Sequence, residues 1–93
     1  MNLEERVKKY RSLTEKALKK ISIKNNLSFS EKKKAQQLIK MANDYFSDAC
    51  FFEKQKNFDL SLAAFSYAHA WLDAGVKLKL LDGKEDSGLF TLP

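Results

Sequence analysis

Leu3, Val7, Tyr10, Thr14, Ala17 and Ile21 recur at alternating spacings of four and three, drawing one narrow packing stripe through an otherwise charged stretch. Successive residues of a helix are about 100° apart, so this alternation keeps the stripe on one side. It predicts a first helix over residues 2–22, with Asn2 as its N-cap. Residues 22–26, with Ile23 and the Asn25-Asn26 pair, read as a turn. Ser28 then stands three residues before Glu31, the spacing of a capping box. From there Ala35, Leu38, Ala42, Tyr45, Ala49 and Phe52 repeat the four-three pattern, broadened by Ile39 and Phe46, and predict a second helix over 29–54. Residues 54–57 form a short connector, Asn57 is a candidate cap, and a third helix is expected over 58–81.

The third helix carries more apolar surface than one contact needs. Phe58, Leu62, Phe65, His69, Leu72, Val76 and Leu80 form a core stripe about 80° wide. A second stripe, Ala64, Ala68, Trp71, Gly75 and Leu78, lies alongside, and Ala63, Tyr67, Ala70 and Ala74 extend the small or apolar surface most of the way round. Only Asp59, Ser66, Asp73 and Lys77 make a clearly polar strip. A surface helix usually shows an apolar arc of roughly 100°, and helices apolar nearly all round are covered on several sides. In so short a chain, part of this surface is expected to meet a partner. Ala63, Tyr67, Ala70, Trp71 and Ala74 are the candidate interface, and a symmetric homodimer through its small residues is the simplest version.

Short connections force neighbouring helices to run antiparallel. The expected fold is therefore all-α, a three-helix antiparallel bundle forming one domain over residues 1–93. Asp82-Gly83 marks the end of the helices, a polar KEDSG turn follows, and residues 82–93 form a short C-terminal tail. The large apolar residues within Leu89-Phe90-Thr91-Leu92 favour docking of that tail at the bundle end over fraying.

Composition supports long helices. The only proline is Pro93 and no glycine precedes Gly75, so nothing breaks the chain before that point. Hydrophobic content of 44% is ample for a packed core, which argues against disorder. The single cysteine, Cys50, cannot form an intramolecular disulfide, and no apolar leader opens the chain, so a cytoplasmic setting is expected. No uncharged apolar run approaches the length of a membrane span.

Residues 45–68 also have a tetratricopeptide-like order of large and small positions: Tyr45, Ala49, Phe52, Phe58, Ser61, Phe65 and Ala68. An array needs further copies at a fixed period, and none is present. The sound inference is local: Ala49 and Ala68 let two helices approach closely. The string AFSYAHAWLDAG over residues 64–75, with Asp48-Ala49 before it and Leu89-Phe90-Thr91 near the end, resembles the archaeal family called domain of unknown function 357. That resemblance covers nearly the whole chain and implies a small all-helical archaeal protein with no assigned activity.

Charge is unevenly divided. Residues 1–40 hold twelve Lys/Arg against four Glu, whereas residues 41–93 hold five against eight acidic residues. Lys8, Lys9, Lys16, Lys19, Lys20, Lys32, Lys33 and Lys34 are thus candidate phosphate contacts, and a nucleic-acid-associated protein is the alternative reading. Against it, only Arg6 and Arg11 supply the bidentate geometry suited to phosphates and bases. No aromatic platform is interleaved with the lysines either.

His69 sits between Phe65 and Leu72 on the core stripe, so it is expected to be a buried or half-buried imidazole needing a hydrogen-bond partner. Tyr45 and Asp48 on the facing helix and Asp73 one turn on are the candidates, giving a possible buried polar cluster of Asp48, His69, Asp73 and Tyr45. No metal-ligand spacing, phosphate loop or triad accompanies them. The expected protein is a non-enzymatic interaction or self-association module working through its third helix, with no catalytic residues, metal, cofactor or small-molecule substrate implied. Its partner would be a second copy or another protein.

Overall fold

The caps written into the sequence set where the first two helices begin. A computed structural model describes all 93 residues. In it α1 spans Leu3–Lys20, β1 Ser22–Ile23, α2 Phe29–Lys54, α3 Phe58–Lys77 and β2 Leu81–Asp82. The Asn2 side-chain oxygen accepts the Glu5 N–H at 2.8 Å. Ser28 and Glu31 form the reciprocal box: the Ser28 hydroxyl accepts from Glu31 N–H at 3.1 Å, and the Glu31 carboxylate accepts from Ser28 N–H at 3.0 Å. The Ser28 N–H, foremost, and then the Ser28 hydroxyl hold the Glu31 carboxyl below its ordinary range. Asn57 occupies the N-cap position of α3, but its side chain caps nothing.

Helices α2 and α3 end alike, and the end of α3 is one of two differences from the sequence-based bounds. Each closes in the same double hydrogen bond: Asn57 and Lys56 N–H donate to Phe52 and Glu53, and Leu80 and Lys79 N–H donate to Gly75 and Val76. This is a Schellman closure, and its C′ residue must be left-handed. Here that residue is lysine both times, Lys56 at φ 60° and Lys79 at φ 62°. Lys79 turns the chain out of α3 at Lys77, four residues before the predicted end at 81. Leu81 and Asp82 then pair antiparallel with Ile23 and Ser22, which also ends α1 at Lys20 rather than 22. Lys24 N–H extends the clamp by donating to Leu80 at 3.1 Å.

A left-handed lysine costs about 1 kcal/mol that glycine avoids. Lys79→Gly is therefore expected to raise stability by roughly that amount, read as a higher denaturation midpoint at unchanged m-value; a lower midpoint would mean the closure is not formed in solution.

Small residues draw α2 and α3 together. Ala35, Ala42 and Ala49 are fully buried on α2, opposite Ser61, Phe65, Ala68, Leu72 and Gly75 of α3. The buried Ser61 hydroxyl finds an acceptor in the Ala49 carbonyl at 2.8 Å. Towards the connector end, Val7, Ala49 and Phe65 form one core cluster, with the Phe46 ring edge-on to Phe65. Towards the strand end, Ala17, Ala35, Ala42, Leu72, Val76, Leu81 and Phe90 form the larger one.

Phe90 brings the tail into that core. Asp86 shapes the approach: it accepts from Gly88 and Leu89 N–H at 3.0 and 3.2 Å, and its other oxygen binds the Lys20 ammonium at 2.8 Å. Gly83 is buried over the Phe90 ring, where a Cβ would lie 2.7 Å from Phe90 Cδ2. The tail docks on its own bundle.

Lys20, foremost, holds Asp86 below the ordinary carboxylate value, and the Lys84 backbone N–H, foremost, does the same for Asp82. A carboxylate depressed in the folded state contributes stability that is complete above its unfolded value and fades as pH falls through the folded one. Stability should accordingly decline below about pH 4. Asp86→Asn should lower the melting temperature at pH 7 and flatten the decline; an unchanged acid limb would exclude Asp86 as a contributor.

Candidate functional site

The α2–α3 pair has two sides. Val7, Thr14 and Ala17 of α1 are buried against one of them. The other carries no further element, and there α3 presents Leu60, Ala64, Tyr67, Trp71, Ala74 and Leu78, spaced four, three, four, three, four. Leu60, Tyr67 and Leu78 are 49%, 47% and 67% exposed, which marks an apolar seam without a cover. Along α2 the same spacing aligns Lys34, Leu38, Met41, Tyr45, Asp48 and Phe52 beside it.

Between these rows runs a groove. At the strand end it opens into a shallow cavity of about 530 Å³, floored by Leu38, Met41, Trp71, Leu78 and Leu80 and rimmed by Lys34, Gln37 and Lys40. Midway along, the Tyr45 and Tyr67 rings lie 4.4 Å apart between centroids, and Tyr67 continues to Trp71 at 5.8 Å. Burial against this aromatic row, then the neighbouring Tyr67 and Asp48, push the Tyr45 phenol above its ordinary value, so it remains a neutral contact.

Of the candidate interface residues, Ala63, Tyr67, Ala70 and Ala74 are exposed as the sequence pattern suggests. Trp71 is not fully outward: it is half-buried, packs on the larger core cluster, and its indole N–H is buried with no acceptor. Ala68 and Gly75, expected in a stripe with Trp71, are buried against α2. The exposed seam is rotated from that stripe and runs through Leu60, Tyr67 and Ala74.

The proposed polar cluster of Asp48, His69, Asp73 and Tyr45 does not assemble. His69 lies on the side of α3 facing α1, whereas Tyr45 and Asp48 lie on the open edge of α2. Thr14, fully buried on α1, places its hydroxyl 3.2 Å from His69 Nδ1, and His69 Nε2 bonds the Leu89 carbonyl. A carbonyl only accepts, so Nε2 carries a proton and donates it to Leu89, while Nδ1 and the Thr14 hydroxyl bond each other. Asp73 accepts the Thr91 N–H at 2.9 Å, and the Lys77 ammonium reaches the Leu92 carbonyl at 3.2 Å. Three side chains of α3 thus hold the tail. A depression of about 270 Å³ lies here, lined in part by Tyr10, Ser66, His69 and Asp73, but both imidazole nitrogens are already engaged. The sequence pattern does not single out Thr14 for this role; its only signal there is a hydroxyl on an otherwise packing stripe.

No group of three or more His, Cys, Asp or Glu side chains is placed to hold a metal ion. Cys50 is half-buried; burial first, then Glu53, push its thiol upward and keep it protonated. A thiol in that state is a poor nucleophile. Glu53 itself is paired with Arg11 of α1.

The lysine candidates split into groups. Lys8 and Lys9 lie on α1 about 18 Å from Lys20 along the helix axis. Lys16, Lys19 and Lys20 share the strand end with Lys32, Lys33 and Lys34. Several have local partners: Lys19 pairs with Glu15, Lys20 with Asp86, and the Lys33 ammonium lies 4.9 Å from the centre of the Phe29 ring.

A family profile described as "Protein of unknown function (DUF357)" matches residues 9–81. The chain belongs to the DUF357 family. Within this DUF357 chain the matched stretch contains both rows of the open groove, while the core residues Val7 and Phe90 fall outside it. Searches of curated proteins and of solved structures returned no match to this chain. No helix of the DUF357 chain is long and apolar enough to cross a membrane.

Proposed function

We propose that this protein is a helix-docking module, and that the open side of its α2–α3 pair receives an apolar helical surface. What supports the reading above all is the seam of Leu60, Ala64, Tyr67, Trp71, Ala74 and Leu78, of which Leu60, Tyr67, Ala74 and Leu78 are exposed. A four-three alternation sustained over five turns is the pattern one helix offers another in left-handed packing. The adjoining groove gives such a helix a second row to rest on. Small Ala64 and Ala74 admit close approach, and the central aromatics supply the large rigid anchors common at interfaces.

A photo-crosslinking residue in place of Ala74, compared with one in place of Ser12 on exposed α1 surface, tests this in cell extract. A discrete adduct from position 74 alone is expected. Adducts from both positions or from neither would overturn the reading.

A second reading, nucleic-acid association, draws on the topology. The β1–β2 clamp gathers Lys16, Lys19, Lys20, Lys24, Lys32, Lys33, Lys34, Lys77, Lys79 and Lys84 around one end of the bundle. Binding by these charges would fall steeply with salt. Helix docking on an apolar seam would persist at 0.5 M NaCl.

A further inference from the structure

We infer that the occupant of the open groove is a second copy of this chain, packed antiparallel across a twofold axis that crosses the helices at the height of residue 69. The inference rests on the docking reading above and adds the partner and the register. Its first support is the order of the seam itself. Read from either end, Leu60, Ala64, Tyr67, Trp71, Ala74 and Leu78 run large, small, aromatic, aromatic, small, large. An antiparallel copy centred on residue 69 sets Leu60 against Leu78, Ala64 against Ala74 and Tyr67 against Trp71, and each contact recurs by symmetry.

The second support is charge, and it comes from the other helix. Lys34 and Asp48 are exposed in the α2 row, neither forms a hydrogen bond or ion pair within the chain, and Met41 lies midway between them. Antiparallel α2 helices centred on Met41 bring Lys34 of each copy to Asp48 of the other. In height the two centres differ by about two residues, or about 3 Å. Ser61 bonds Ala49, the Tyr67 ring meets Tyr45, and a Cβ on Gly75 would meet Leu38 at 3.2 Å, so residue 69 of α3 is level with residue 43 of α2. One axis at residue 69 therefore brings Lys34 and Asp48 of opposite copies to within about 6 Å along the helices, a gap the lysine side chain spans. A twofold along the helices would instead place the ends bearing Lys33, Lys34 and Lys40 of both copies together, where like charges repel.

The test uses cysteine pairs in a Cys50→Ser background. Ala64→Cys and Ala74→Cys, mixed and oxidised, should give a covalent dimer. Each variant alone should not, because identical positions would be offset by about 15 Å along the axis. Sedimentation should show Lys34→Glu weakening the wild-type dimer at least tenfold and Lys34→Glu with Asp48→Lys restoring it, each variant keeping the wild-type circular dichroism. Cross-linking of Ala64→Cys with itself, or a charge reversal that changes nothing, would overturn the register. A monomer at 100 µM would overturn the self-partner. In that event an adduct from position 74 in cell extract would keep the docking reading alive, and its absence there would end both.

Discussion

Phe90→Ala is expected to remove about 3–5 kcal/mol of stability and to lower the melting temperature by roughly 15–30 °C. The size follows from position. Phe90 is only 4% exposed, in one cluster with Leu72, Val76, Leu81, Ala17, Ala35 and Ala42. Truncation would leave an apolar void bordered by Gly83 and Val76, and it would release the segment that His69, Asp73 and Lys77 hold. A domain of this size has on the order of 5–15 kcal/mol in total, so a single residue near the C-terminus carries a large share. Calorimetry at pH 7 decides it, and a change below 5 °C would mean that the tail is not docked in solution.

Gly75→Val should be nearly as severe, about 2–3 kcal/mol destabilising, although a helix interior normally gains from losing glycine. Gly75 is buried in the last turns of α3, where a Cβ would press into the Leu81 side chain and lie 3.2 Å from Leu38. Leu81 cannot retreat cheaply, because it is fully buried and its backbone pairs with Ile23. Denaturant unfolding should show a lower midpoint for Gly75→Val and an intermediate one for Gly75→Ala. A gain in stability from either would show that Leu81 has room to move.

These two residues also mark what the sequence reveals and what it conceals. Helix α2 is legible to the residue, since its capping box and four-three pattern are local facts read along one segment. The ends of α1 and α3 are not, because they are set by pairing between Ser22–Ile23 and Leu81–Asp82, distant segments with no strand-like alternation. The left-handed turns at Lys56 and Lys79 carry no glycine to announce them, so nothing in the chain warns that α3 stops at Lys77. The excess apolar face of α3 is visible in the sequence, but its exact exposed edge depends on which side α1 covers. That dependence moved the seam onto Leu60, Tyr67 and Ala74, and it drew His69 to Thr14 and Leu89 instead of Asp48 and Tyr45.

The two-stranded clamp has a consequence for how the chain reaches this fold. Residues 55–57 close α2 on α3 across a short turn, so that hairpin can condense early and at little entropic cost. The clamp joins residues roughly sixty apart, and Phe90 must follow Leu81 into place, so both belong late in folding. Substitutions at Ser61 or Ala49 should accordingly slow refolding, whereas those at Gly83 or Phe90 should chiefly hasten unfolding. The open groove, lying on the early hairpin in all but Leu80, would then largely exist before the rest of the molecule has finished assembling around it.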